Sequence, residues 1–397
     1  MLSTSARLPD SVSVPTVAHA VWVERLLWVF MLSFALDYRS AEAREGASGA
    51  GIDQLLFLGS CMASTLGIVF LGWKFLTVRP GAWLLAFWGL FIAFMLANSV
   101  LQGVPTGRFE VQSPATNSIT AWIACAILLR GRFHWNLLVA CGVLFIGIGI
   151  TVSRSLIFPV VVGGMAAAAC FVMGVSWKQY QWSSLGRRLL PVAAVLTLVA
   201  VATGLVALFQ PLIIERWNER LFHNASDRNL GADISYLTRK AEADAIWKIL
   251  SDDPVHFIHG RGIGSSYYWD SAYMPEIWMV IPKEEAGEDD IWFAGHSVWT
   301  YGLLSGGVIA LASYLVLLGA VGVSSLLAAR ANASDPGPDQ WLAFVPFVAT
   351  CCLISESLTS NPFQERLVGI IFGVMAGLPQ AFMVRPSWIH ATARRSL

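Results

Sequence analysis

Apolar runs about as long as a bilayer is thick recur along this chain, interrupted by a single long hydrophilic stretch between residues 215 and 295. A helix needs about 20 mostly apolar residues to cross the hydrocarbon core. Backbone placed in lipid must satisfy its own hydrogen bonds, which makes helices the natural form of such runs. Reading with that window places spans at residues 21–36, 55–76, 82–101, 117–129, 135–152, 156–175, 189–214, 298–327, 341–358 and 367–384, the fourth being short. The expected fold is an all-α polytopic membrane protein of about ten transmembrane helices, with one large loop between the seventh and the eighth.

Composition agrees. Hydrophobic residues make up 56% of the chain and charged ones 13%, whereas about a quarter of the residues of a soluble domain are charged. Seventeen Trp and twenty-two Phe suit a protein with two lipid–water interfaces, where aromatic rings gather. The net charge of zero gives no sign of a nucleic-acid partner. All six cysteines, Cys61, Cys125, Cys141, Cys170, Cys351 and Cys352, fall inside apolar runs and read as small buried hydrophobes rather than a disulfide framework. The first run could pass for a signal peptide, but many spans follow it and no cleavage site stands where one is expected, so it is read as retained.

Orientation follows from the cations of the short loops. One side collects Lys74, Arg79, Arg130, Arg132, Lys178, Arg187, Arg188, Arg330, Arg385, Arg394 and Arg395, and by the positive-inside rule it is the cytoplasmic side. The other side holds fewer: Arg39, Arg44, Arg108, Arg154 and Arg366. An even number of spans then places both termini in the cytoplasm and the long loop outside. No repeat or linker separates two domains, so the chain divides into membrane regions 1–214 and 296–397 with an external subdomain, 215–295, between them.

That loop has structure of its own. Ile234, Leu237, Ala241, Ala245, Ile246 and Ile249 recur at helical spacing from Asp233 to Leu250, with Arg239, Glu242, Asp244 and Lys248 between them, the pattern of an amphipathic helix. Asp233 suits its N-cap, and Ser251-Asp-Asp-Pro254 ends it. The glycines of Gly260-Arg-Gly-Ile-Gly264 permit a tight turn or a close backbone approach, with Arg261 between them. The acidic run from Lys283 to Asp290 reads as a solvated tip.

Ionisable residues collect where the loop meets the membrane. Ser153-Arg154 joins two apolar helices with almost no loop, so Arg154 sits at the external boundary, where snorkelling is the plain alternative to a function. Arg216, Arg220 and Arg239 lie at the start of the loop and on its helix. A guanidinium is permanently charged and suits bidentate phosphate binding, while pairing with Glu215, Glu219 or Glu242 is the structural alternative. His296, in Gly295-His296-Ser297 where the loop returns to the membrane, can cap, bind a headgroup or accept a proton near neutral pH. Glu356, near the outer end of the ninth span, is a candidate ranked below His296, because pairing with Arg366 would account for it. His256 and His259 with Asp252 and Asp253 lack the further ligands of a metal site.

The order of these features resembles the O-antigen ligase and Wzy-type polysaccharide polymerase superfamily: Ser153-Arg154 at a helix junction, Glu215-Arg216 after a long apolar helix, Arg239 eight residues before Trp247, Gly260 to Gly264, then Gly295-His296-Ser297 leading into a Gly-containing helix. The likeness covers roughly residues 150–318. Ser297 stands where the family commonly has Asn, so no amide role is carried onto that position.

The resemblance implies a GT-C-like membrane glycosyltransferase of the bacterial inner membrane, with a periplasmic loop and no metal or cofactor. Its donor would be an undecaprenyl-diphosphate-linked oligosaccharide. Its acceptor would be another lipid-linked glycan in a polymerase, lipid A core in a ligase, or a protein hydroxyl in the related oligosaccharyltransferases. It implies membrane lipids and other polysaccharide export proteins as surroundings. Breaking the bond from sugar C1 to diphosphate builds negative charge on the leaving phosphate, which fixed cations stabilise. Arg154 and Arg239, with Arg216, are assigned to the diphosphate, Arg220 and Arg261 more weakly, and His296 is the base or acceptor-orienting group. Direct attack by the acceptor hydroxyl would invert the anomeric centre. Polymerase is preferred slightly over ligase. The rival from another class is a transporter or flippase, which would be expected to carry paired repeats and discontinuous helices, and the sequence gives no sign of either. A purely structural membrane protein is the third alternative.

Overall fold

The computed structural model describes residues 120–130, 154–209, 234–262, 264–269, 291–292, 297–331, 340–358 and 366–383, with single residues between them. The spans expected at 21–36 and 82–101, most of those at 55–76 and 135–152, and both termini lie outside the described residues. Eight helices and one short ladder are used below: α1 (Thr120–Arg130), then α2 (Arg154–Ser176), α3 (Leu185–Phe209), α4 (Ile234–Asp252), α5 (Pro254–His259), β1 (Tyr267–Tyr268), β2 (Ile291–Trp292), α6 (Val298–Ala331), α7 (Val345–Ser357) and α8 (Arg366–Met383).

Among the described residues four stretches are long and apolar enough to cross a membrane: Ile157–Ser176, Trp182–Leu205, Val298–Ala331 and Gln340–Ser357. They coincide with four of the expected spans, and the described part of the chain is that of a mostly helical membrane protein. α1 is shorter than a span, and it is packed in the core beside α2 and α7 through Trp122, Cys125 and Leu129.

α2 and α7 run antiparallel. Gly163 faces Cys352, whose Sγ would lie 2.8 Å from an added Cβ, and the Cys352 thiol donates to the Pro159 carbonyl at 3.3 Å. Toward the other end Trp177 stacks on Phe344 at 6.0 Å. Arg154, at the start of α2, is therefore level with the Ser357 end of α7. Cys125, Cys141, Cys170, Cys351 and Cys352 are free thiols, and all but the half-buried Cys351 are buried.

Cations expected on one side of the membrane gather at one end of the bundle. Arg188 donates from Nη1 to the Leu128 carbonyl at 2.8 Å and also to that of Leu129, while its guanidinium lies 4.7 Å from the Tyr180 ring. A cation at the C-terminus of α1 satisfies carbonyls that the helix itself cannot. The same end holds Arg130, 6.0 Å from the Trp341 ring. Gln179 donates to the Ala329 carbonyl at 2.7 Å, which ties the α2–α3 turn to the last turn of α6, beside Arg330.

α6 corrects the sequence reading, which expected one continuous span and no discontinuous helix. Gly307 has non-helical dihedrals, φ 65° and ψ −168°, and the chain doubles back there. In a straight helix residues 299 and 314 would be ~22 Å apart at 1.5 Å per residue, yet the Trp299 and Tyr314 rings are 6.2 Å apart. A Cβ at Gly302 would meet Leu311 Cδ2 at 3.1 Å. No side chain of the first limb, 298–306, is exposed. The second limb, 308–331, presents Val308, Ile309, Leu315, Val316 and Val323 on its outer face. Only this second limb has the surface of a lipid-facing helix.

The break frees carbonyls, and the Gly260–Gly264 turn supplies their donors. Arg261 N–H donates to Leu304 O at 2.7 Å and Gly262 N–H to Ser305 O at 3.0 Å. This contact is backbone against backbone. A Cβ on Gly260 (φ 77°) would lie 2.4 Å from Gly306 N, and one on Gly307 (φ 65°) 2.3 Å from Ile258 O. Positive φ together with this approach excludes any side chain at either position.

α4 and α5 carry that turn. Leu237, Ala241, Ala245, Ile246 and Leu250 form the buried face of α4 and pack with Tyr267, Trp269, Tyr301 and Leu304. α4 extends to Asp252, and α5 begins at once at Pro254, where proline suits a first helical position. Asp253 is the N-cap of α5, accepting from Val255 N–H at 2.9 Å and His256 N–H at 3.4 Å. It pairs with His256 Nδ1 at 2.7 Å. Partial burial would raise its pKa, but the two backbone bonds and His256 outweigh that and hold the carboxyl below its ordinary range.

Gly260→Ala or Gly307→Ala should each destabilise the protein by about 2 kcal/mol or more, read as a lower Tm in detergent. Gly319→Ala, where an added Cβ meets nothing within 4 Å, should leave Tm unchanged or raise it. A depressed carboxyl contributes stability above its unfolded pKa and loses it as pH falls through the folded value. Amide exchange of residues 255–260, corrected for intrinsic rates, should therefore accelerate below about pH 4. Asp253→Asn should accelerate it at neutral pH and flatten the pH response.

Candidate functional site

Where α4 meets the first limb of α6, a carboxylate is buried. Glu242 is 1% exposed and lies on the buried face of α4, four residues after Thr238 and four before Ile246, which are also buried. Its Oε1 accepts the Thr300 hydroxyl. Tyr267 on β1 and Tyr301 on α6 are fully buried beside it. The phenol of Tyr267 is held well above its ordinary pKa, by burial first and then by the Glu242 carboxylate. Tyr301 in turn donates from its hydroxyl to the Ser265 carbonyl at 3.2 Å.

Gly295 closes this cluster. An added Cβ there would lie 2.2 Å from Tyr301 Cβ and 2.8 Å from Glu242 Oε1, so only glycine lets the returning chain lie flat on both. Ser297 follows as N-cap of α6, its Oγ accepting the Trp299 N–H at 3.2 Å. Serine suits that position as well as asparagine does. Val298 N–H then donates to Ser360 O at 3.3 Å, which joins the turn to the end of α7. Ser360 Oγ also donates to Glu356 Oε1 at 3.0 Å, and Glu356 is 0% exposed. Beside it Tyr314 Oη and Ser357 Oγ share a hydrogen bond of 2.9 Å.

The expected site residues distribute as follows. Arg239, half-buried, lies one turn of α4 before Glu242. Glu356 lies beneath the 295–298 turn, and Arg154 begins the helix that runs beside α7, level with that acid. Arg261 is set apart. Its backbone caps Leu304, six residues along the limb from Val298, which is ~9 Å at 1.5 Å per residue. His296, Arg216 and Arg220 lie outside the described residues, but the neighbours of His296 on both sides, Gly295 and Ser297, are described and buried. Among the described residues no three His, Cys, Asp or Glu side chains converge as metal ligands. His256 and His259 meet edge to face at 5.5 Å.

Sequence reasoning treated Glu242 as an ion-pair partner and passed over Tyr267, Thr300 and Tyr301. The helical spacing from Thr238 through Glu242 to Ile246 was the available signal. It also missed the antiparallel ladder Tyr267↔Trp292, Tyr268↔Ile291, beside which Trp269 stacks on Trp292 at 4.2 Å. The aromatic and β-branched composition of those two segments favours strands. The acidic run 283–290 that leads into β2 lies outside the described residues.

No protein-family model matches the chain, and no curated protein matches it.

Glu242→Ala would leave the part-buried Thr300 hydroxyl only the Ser297 carbonyl at 3.2 Å and should cost about 1 kcal/mol. Glu242→Gln, which keeps an acceptor of the same shape, should cost less. Thermal unfolding in detergent distinguishes the two, and equal losses would count against the hydrogen-bonding role of the carboxylate.

Proposed function

We propose that the chain is a membrane glycosyltransferase that moves a glycan from an undecaprenyl-diphosphate carrier to an acceptor sugar at the periplasmic face of the bacterial inner membrane. Polymerisation of repeat units of an exported polysaccharide is the preferred form, and ligation to lipid A core the alternative within the same chemistry. The observation that carries this reading is the meeting of α4, the 295–298 turn and the ends of α2 and α7 at the end of the bundle opposite the cation-rich loops. Arg154 and the neighbours of His296 are more than a hundred positions apart in sequence, and Arg239 lies between them in the chain, on the helix packed against the limb of α6 that those neighbours lead into.

In this mechanism the guanidinium groups of Arg154 and Arg239, with Arg216, hold the diphosphate as it accepts the electron pair of the C1–oxygen bond. Permanent positive charge aimed at a developing anion lowers the barrier without a metal. The acceptor hydroxyl attacks C1 from the opposite side and inverts it, and His296 takes the hydroxyl proton. Glu242 and Thr300 pack against Gly295, the residue before that histidine in the sequence.

The break in α6 is the feature that favours the transporter reading, because discontinuous helices often line translocation sites. Here, however, the freed carbonyls of Leu304 and Ser305 are occupied by backbone N–H groups of the 261–262 turn. They are taken up by structure rather than offered to an ion.

With the protein in vesicles and a diphosphate-linked oligosaccharide donor, Arg154→Ala, Arg239→Ala and His296→Ala should each lower transfer by a factor on the order of 10² or more while insertion stays normal. Near-normal transfer in both arginine variants, or a strict dependence on divalent metal, would overturn the mechanism. Glycan profiling after gene deletion separates the two forms: single repeats without long polymer indicate a polymerase, and long polymer retained on its carrier indicates a ligase.

A further inference from the structure

α5 presents an apolar face that none of the described residues covers. Val255 is 59% exposed and Ile258 55%, and their i, i+3 spacing puts them on one side of the helix. Phe257, on another side, turns inward to the α4 cluster and meets Trp247 edge-on at 6.0 Å, with Trp247 itself 61% exposed.

The position of this face decides what covers it. The Ile258 carbonyl lies against Gly307, and directly after Gly307 the lipid-facing stripe of α6 begins with Val308, 42% exposed, and Ile309, 45% exposed. Arg330 marks the opposite end of that limb. Counting about 20 residues outward from Leu327 reaches Val308, so Gly307 falls at the edge of the hydrocarbon. The exposed side chains of α5 thus continue the apolar outer face of the second limb of α6.

The polar groups of α5 are arranged for such a place. The Asp253 carboxylate is engaged by the Val255 and His256 N–H groups and by the His256 ring, and Gly260 N–H closes the other end on His256 O at 2.7 Å. The first N–H groups of the helix and the His256 carbonyl are met internally, which lowers the cost of leaving water. A half-exposed Trp beside an apolar face is also typical of the interfacial zone.

We infer that α5 is seated in the bilayer interface on its own side of the membrane, with Val255 and Ile258 among the lipid chains and Trp247 at headgroup level. Because α5 continues from α4 and its turn locks the α6 break, this seat fixes the height of Arg239 and the 295–298 turn above the hydrocarbon. The inference requires a membrane-spanning α6 and is independent of the reaction proposed above.

The test is photocrosslinking of the full chain in phosphatidylethanolamine and phosphatidylglycerol vesicles, with p-benzoylphenylalanine placed singly at Val255, Ile258, Val316 or Lys248 and lipid adducts counted by mass spectrometry. Val316 is the lipid-facing reference and Lys248, exposed on α4, the aqueous one. Yields at Val255 and Ile258 should be within about threefold of Val316 and at least about tenfold above Lys248. Yields no higher than at Lys248, or adducts to protein in place of lipid, would overturn the inference. Ile258→Asp gives an independent reading. A lipid-seated residue should lower Tm in vesicles by about 3 °C or more, whereas unchanged or raised stability would mean that the face lies in water.

Discussion

The carbonyls of Leu304 and Ser305, released where α6 turns back at Gly307, need donors at a level where water is scarce. Arg261 and Gly262 bring theirs from a different part of the chain, and this exchange holds the polar subdomain to the membrane bundle. Each side of the contact consists of bare backbone, since a Cβ on Gly260 or Gly307 would fall within 2.4 Å or less of the opposite main chain. Such proximity leaves little room for sliding or rotation. α5, α4 and the strands then inherit a fixed position relative to α6.

A second constraint follows from the first. With α4 held against the first limb, Glu242 is removed from water, and a buried carboxylate is costly unless hydrogen-bonded. Thr300 meets it from the limb, and Gly295 lies close against Glu242 and Tyr301, with no room for a side chain. Gly295 is thereby set against α4, while Val298 is tied to the end of α7, where Ser360 and Glu356 continue the polar network.

Much of this could be read from the sequence, and the failures have specific causes. Hydropathy located the four described spans because burial in lipid acts on each segment separately, through its own length and composition. The periodicity of Ile234 to Ile249 gave α4 for the same local reason. Glu242 was misplaced because an amphipathic pattern assigns charged residues to the water side, and only the surface presented by Thr300, Tyr267 and Tyr301 reverses that. The glycines of 260–264 signalled permissive backbone, but whether for a turn, a ligand or another main chain depended on what faced them. The break at Gly307 was hidden in an apolar sequence, Leu303-Leu-Ser-Gly-Gly-Val-Ile309, that a continuous helix tolerates equally well.

By itself the sequence determined that this is a helical membrane protein, roughly where its described spans lie, and which loops carry the cations, since these depend on the solvent each segment occupies. The tertiary structure decided that α6 is two limbs, that the 260–264 turn caps the break, and that Glu242 is buried beside the 295–298 turn. Those outcomes rest on donors, acceptors and volumes supplied by segments tens of residues apart. No local pattern can specify a partner that only folding brings into contact.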